Sequence, residues 1–132
     1  MKHLPNFAKQ IDAGKYSLSP IHFDIETEAK KRNIPIKSWG RLDLSKKNHK
    51  NYKFANDSEA CDLLNKIILE QKIQEDITIV WSNADFAEIK SNIRFLKDFV
   101  MEILTEDWDV WIFGESWVIE KYHEGELIFS RD

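Results

Sequence analysis

The chain has 132 residues, 42% of them hydrophobic and 12% aromatic, which suits one domain with its own core and excludes general disorder. No run approaches 18 apolar residues, and the opening MKHLPNFAKQIDAGK has no apolar stretch, so neither a membrane span nor a signal peptide is expected. Cys61 is the only cysteine, which excludes an intrachain disulfide and a cysteine-based zinc site and fits a reduced, cytoplasmic protein.

In chain order, Asn6–Asp12 predicts a short helical turn, followed by Gly14 and Pro20. Ile21–Asn33 predicts a helix with Ile25 and Ala29 on one face and Pro35 at its end. Residues 34–55, with Pro35, Gly40 and many lysines, read as a long loop with a short strand at Trp39–Leu42. The next helix is clearer. Asn56 and Asp57 are capping residues, and Glu59 stands three after Asn56, as a capping box requires. Ala60, Leu64, Ile67 and Ile68 then recur at helical spacing, joined by Cys61 and Leu63. Cys61 reads as a small core residue, since no His or Gly-rich turn stands near it to lower its pKa.

Ile77–Trp81 (ITIVW) is short and β-branched, which predicts a buried strand. Ser82-Asn83-Ala84-Asp85 reads as a helix start. Phe86, Ile89, Ile93, Leu96, Val100 and Ile103 then alternate spacings of three and four, predicting one core helix of five turns. After Asp107 the period changes to two. Asp109–Phe113, Trp117–His123 and Leu127–Ser130 predict strands joined by Gly-containing β-hairpin connections, Gly114-Glu115-Ser116 and Glu124-Gly125-Glu126.

A strand, a long helix and a further strand make a crossover unit, so Ile77–Trp81 and Val110–Phe113 are expected as parallel neighbours. The later strands add antiparallel. No repeat, linker or boundary divides the chain, so residues 1–132 read as a single α+β domain: a mixed β-sheet with C-terminal hairpin strands packed against helices. Val110 and Ile112 share one strand face and Trp111 and Phe113 the other, so this hairpin is expected inside the sheet, covered on both sides.

The net charge of −4 hides a split. Residues 1–75 carry 14 basic and 10 acidic side chains; residues 76–132 carry 5 basic and 13 acidic. From Lys30 to Lys53 nine basic residues face Asp43 alone, and from Glu102 to Glu126 eight acids face Lys121 alone. Such asymmetry points to partners rather than to the fold. The basic window reads either as a solvated loop or as a nucleic-acid surface in which Trp39, His49 and Tyr52 stack on bases. The overall acidity and the lack of a nucleic-acid motif weigh against the second.

Catalytic motifs are missing from the sequence: it has no phosphate loop, no dinucleotide turn and no nucleophile elbow. The four histidines, His3, His22, His49 and His123, form no zinc-protease pair. His123 and Glu124 with Glu126 would supply weak metal ligands, although a charged hairpin turn explains them. Glu120 and Glu124 would pair for acid/base work on a sugar, but nothing supplies a sugar cleft. The expectation is a protein that is not an enzyme and holds no cofactor or metal.

The tryptophans concentrate toward the C-terminus. Core packing explains them; so does an acidic, aromatic recognition surface. The stretch from Val80-Trp81-Ser82 through the expected helix to WDVWIF (Trp108–Phe113) and WVIEKYHEGEL (Trp117–Leu127) resembles small immunity proteins of bacterial contact-dependent growth inhibition and related polymorphic toxin systems. The resemblance covers residues 77–130 and implies a non-catalytic protein that neutralises a cognate toxin domain. Such toxins are commonly nucleases with basic surfaces, which an acidic inhibitor complements. The charge pattern nominates Asp107, Asp109, Glu115, Glu120, Glu124 and Glu126 as toxin contacts, with Trp117 and Tyr122 as aromatic anchors.

Overall fold

The apolar runs of the C-terminal half form the middle of a sheet. The computed structural model describes residues 2–37 and 40–131. Its strands are β1 (Ser19–Ile21), β2 (Asn48–Lys53), β3 (Ile77–Trp81), β4 (Glu88–Ser91), β5 (Val110–Phe113), β6 (Trp117–Tyr122) and β7 (Glu126–Arg131). They lie in the order β1-β4-β3-β5-β6-β7-β2, and each neighbouring pair is antiparallel. The helices are α1 (Ala13–Tyr16), α2 (Ile25–Lys31), α3 (Asp57–Glu70), α4 (Ile93–Asp98) and α5 (Val100–Thr105). The fold is α+β.

Both sheet faces are covered, because the central strands are apolar on both. On one face Ile79, Ile112, Trp117, Ile119 and Leu127 pack with Leu64 and Ile67 of α3, Phe95 and Leu96 of α4 and Ile103 of α5. On the other face Val80, Trp111, Phe113, Val118 and Ile128 pack with Ala29 of α2 and with Ile34, Leu42 and Leu44 of the connection after it. The C-terminal hairpins form as the glycines predict. Gly114 N–H donates to Trp117 O at 2.9 Å and Gly125 N–H to Tyr122 O at 3.0 Å, with Gly125 at φ +98°. The capping signal of α3 also holds. Asn56 Oδ1 accepts from Glu59 N–H at 2.9 Å, and Glu59 Oε1 accepts from Ala55 N–H at 3.4 Å. Cys61 packs at the margin of the core, partly buried, and burial with nearby carboxylates pushes its thiol pKa up.

Several expectations are corrected. The five-turn helix is a strand followed by two short helices. Ala87, Ile89 and Ser91 satisfy a period of two as well as Ile89 satisfies a helical one, and Ile89 is buried in β4. Asn92 then caps α4, accepting from Phe95 N–H at 3.2 Å, and Phe99 at φ −125° separates α4 from α5. The extra reversal through β4 changes the sense of the return. β3 and β5 are neighbours but antiparallel, with Ile79 opposite Ile112, and among the described residues no two strands pair in parallel. The helix expected from Ile21 starts at Ile25, because the Asp24 side chain accepts from Glu26 N–H at 3.3 Å, and β1 precedes it. The helical turn expected at Asn6–Asp12 is a 3-10 turn at Asn6–Ala8. Residues 34–55 contain β2, whose exposed edge position relieves it of any apolar alternation. Leu42 makes an isolated antiparallel bridge with Ile36 in place of the strand expected at Trp39–Leu42, and Trp39 lies outside the described residues.

Candidate functional site

Strand register decides where the acids go. Val110 pairs with Lys121 and Phe113 with Val118. Asp107 and Asp109, entering β5, therefore share one end of the sheet with His123 and Glu124, leaving β6. Glu115 lies at the opposite end, in the β5–β6 turn. There it shares a shallow pocket with Glu28, Glu75 and Asp76. The nominated acids do not form one surface.

Four nominated residues are taken up inside the molecule. Trp117 is fully buried under the helices, its ring stacked 6.3 Å from Phe129, so it is a core residue and not an anchor. Glu120 is equally buried on the other face. Its Oε1 accepts from Arg41 Nε at 3.0 Å, and its Oε2 accepts from Leu42 N–H at 2.9 Å and Trp111 Nε1–H at 2.7 Å. Glu126 Oε1 accepts from Arg41 Nη2 at 2.7 Å. Tyr122, half-buried, has the Arg41 guanidinium 4.0 Å above its ring. The alternation of Glu120 with apolar neighbours carries no hint that its partner stands 79 residues earlier.

The turn-bearing end at Asp107–Asp109 keeps a surface of its own. Asp107 organises it: Oδ2 accepts from Ser82 Oγ–H at 2.8 Å and from Asn83 N–H, and Oδ1 accepts from Trp108 N–H at 2.8 Å. These bonds hold the loop after β3 against the loop before β5. Asp109 Oδ1 accepts from His123 N–H at 2.8 Å and lies 3.0 Å from His123 Nδ1. Trp108 is 71% exposed, with its ring 5.1 Å from that of His123. Glu124 is exposed in the next turn. Asp57, at the start of α3, joins Thr105, Asp107, Trp108, Lys121 and His123 around a pocket of about 320 Å³. Lys121 is buried, donates from Nζ to Trp108 O at 2.8 Å, and burial pushes its pKa below the ordinary lysine value.

Trp108, His123, Lys121, Thr105 and Asp57 are the members of this surface absent from the nominated set. Trp108 precedes the alternating strand, and Asp57 is some fifty residues away in sequence; only the proximity of Asp107 to Trp108 was a usable signal. Among the described residues no group of three or more His, Cys, Asp or Glu is placed to hold a metal ion. His123 turns to Asp109 and Glu126 to Arg41, which separates the ligands considered for the hairpin.

The basic window is dispersed. Arg32 bonds Glu28 at 2.6 Å, Gly114 O at 2.5 Å and Trp117 O at 3.1 Å, tying α2 to the β5–β6 turn. Arg41 is held by Glu120 and Glu126. Lys50 and Lys53 line the exposed strand β2. Among the described residues no helix is long and apolar enough to cross a membrane. No family model matches the chain, and neither does any curated protein sequence.

Proposed function

We propose that this is a non-catalytic immunity protein of a bacterial contact-dependent growth inhibition or related polymorphic toxin system. It acts in the cytoplasm by binding a cognate toxin domain, a nuclease, and covering its basic active site. The binding surface is the sheet end bearing Asp107, Trp108, Asp109 and Glu124. The observation that carries this reading is Trp108, 71% exposed among carboxylates on loops pinned to a rigid sheet. Tryptophan is enriched at interface hot spots, and binding residues gather on loops held by a scaffold. Carboxylates around it steer a basic partner and take the place of phosphates.

The test uses the C-terminal domain of a secreted effector encoded beside this protein. Trp108→Ala should weaken binding by about 2 kcal/mol, the hot-spot range. Glu124→Gln and Asp57→Asn should slow association and flatten its salt dependence. Protection of growing cells should fall with them. Neutral substitutions of Lys30, Lys31 and Lys46, exposed and outside β2, should change neither. If the acidic and Trp108 variants protect like the parent while the lysine variants fail and the parent retains RNA, the protein is instead a nucleic-acid-binding module of the basic window.

A further inference from the structure

Lys121 is the single basic residue among eight acids between Glu102 and Glu126, yet its side chain has no carboxylate within ion-pair distance among the described residues. It is 6% exposed, flanked in register by Val110 and Leu127. An ammonium carries three donors, and here one is used, on Trp108 O at 2.8 Å. A buried charge without a counter-ion is costly, and burial accordingly lowers its pKa against the opposing pull of Asp57, Asp109 and Asp107. That arrangement makes sense where something else brings the anion.

The pocket that Lys121 lines has room for it, at about 320 Å³. Its other walls are specific. The Trp108 indole is exposed and its ring lies at 44° to that of His123. His123 Nδ1–H faces Asp109 at 3.0 Å, so Nε2 of the uncharged ring is an acceptor and gives an anion no hydrogen bond. The Thr105 hydroxyl is spent on Met101 O at 2.7 Å, and both Asp107 oxygens are occupied. Among these walls, donor capacity remains on Lys121 Nζ and the Trp108 indole N–H. Asp57 and Asp107 would repel a phosphate dianion more than a monoanion.

We propose that this pocket binds a small monocarboxylate carried on a flat apolar body, its oxygens taking hydrogen bonds from Lys121 Nζ and its flat face lying on the Trp108 indole beside the His123 ring. The site goes beyond toxin neutralisation and is tested with no toxin present. Benzoate is titrated into the full-length, 15N-labelled protein while the Trp108 indole and His123 ring signals are followed. Benzamide, acetate and phenyl phosphate are the arms lacking the charge, lacking the flat body, and carrying a dianion. Benzoate should shift both signals saturably in the millimolar range, and each control should bind about tenfold more weakly. Lys121→Met, checked for a native spectrum, should lose at least about tenfold in affinity, and Trp108→Ala, altered at an exposed ring, about threefold. Absence of saturable shifts, undiminished binding by folded Lys121→Met or by Trp108→Ala, or tighter binding of phenyl phosphate or benzamide would each overturn the proposal.

Discussion

Arg41 and Glu120 meet on the second face of the sheet, with Nη2 2.9 Å from Oε1, and the guanidinium also bonds Glu126 at 2.7 Å. Burial works against the charged guanidinium, but the bond to Glu126 and the charge of Glu120 outweigh it and raise its pKa. One cation from the basic stretch thereby pairs with two acids of the acidic stretch and cancels one of their two charges. Part of the charge asymmetry along the chain is an internal pairing that sequence separation hides. What remains for a partner is the smaller set at the Asp107–Glu124 end.

Removing one member of this pair should be worse than removing both. Arg41→Met leaves the buried Glu120 carboxylate without its cation and should cost about 3–5 kcal/mol. The double variant Arg41→Met, Glu120→Gln should recover part of that loss, because Gln still offers an oxygen to Leu42 N–H and Trp111 Nε1–H. Urea denaturation of the two variants and the parent gives the comparison. Equal losses in both would mean that the ion pair is not the source of the cost.

Gly114 should admit no side chain. A Cβ there would run into the Trp117 indole, which is fully buried in the core. Gly114→Ala should cost about 1–3 kcal/mol or more, the range for overpacking. The double variant Gly114→Ala, Trp117→Phe replaces the indole by a smaller ring and should fall less than the two single losses added together. Thermal or urea unfolding of all three variants measures this, and simple additivity would remove the clash as the explanation.

Where apolar spacing is unambiguous, the sequence is legible. The Asn56 cap and the Leu64, Ile67, Ile68 stripe place α3, and the glycines of the C-terminal hairpins place β5, β6 and β7. Where two periods coincide, it is not. Ile89 fits both a helical stripe and an alternating strand, and only the Asn92 cap separates the two. Edge strands such as β2 need no apolar face, so His49-Lys50-Asn51 leaves no trace of a strand. The site was half legible. Asp107 and Asp109 are at the surface end of β5, although the alternation places Asp109 inside the expected strand, whereas Glu120 and Trp117 alternate into the two cores, and no local signal tells a buried glutamate from an exposed one when its arginine is distant.

Leu96 is fully buried in α4. Leu96→Ala should cost about 2–5 kcal/mol, as for other leucines removed from close-packed cores. Ile93, one turn earlier and only partly buried, should lose less on the same substitution. Denaturant midpoints rank the two, and the reverse order would contradict the packing of α4 against the sheet.

Lys121 should make stability rise with pH on the alkaline side. Its pKa in the fold is lowered by burial, while the unfolded chain has the ordinary value of about 10.4. Below the folded value both states are protonated and the full penalty of the buried charge applies. Between the two values the unfolded state binds more protons than the folded one, so the penalty is relieved as pH rises. Lys121→Met removes the group from both states. At neutral pH this variant should be at least as stable as the parent, and the parent should gain on it as pH climbs toward about 10. A constant difference across that range would show that the ammonium is not destabilised in the fold.

The lysines of β2 should guard an edge. β2 pairs on one side with β7 and, among the described residues, has no strand on the other, and five of its six side chains are exposed. An open edge presents unpaired backbone groups to any passing strand, and lysines there resist pairing because their charge would have to be buried or placed against a like charge. At the opposite edge β1 is only three residues long and contains Pro20, which lacks a donor. This gives the basic window a role within the single molecule, independent of nucleic acid. Lys50→Thr with Lys53→Thr raises β-propensity and removes both charges. The doubly substituted protein should keep the parent's unfolding midpoint to within about 0.5 kcal/mol, as expected of surface sites. It should nonetheless self-associate at concentrations where the parent is monodisperse, seen as a rise in sedimentation coefficient or scattering. Continued monodispersity, together with loss of RNA retention shown by the parent, would assign these lysines to nucleic-acid binding instead.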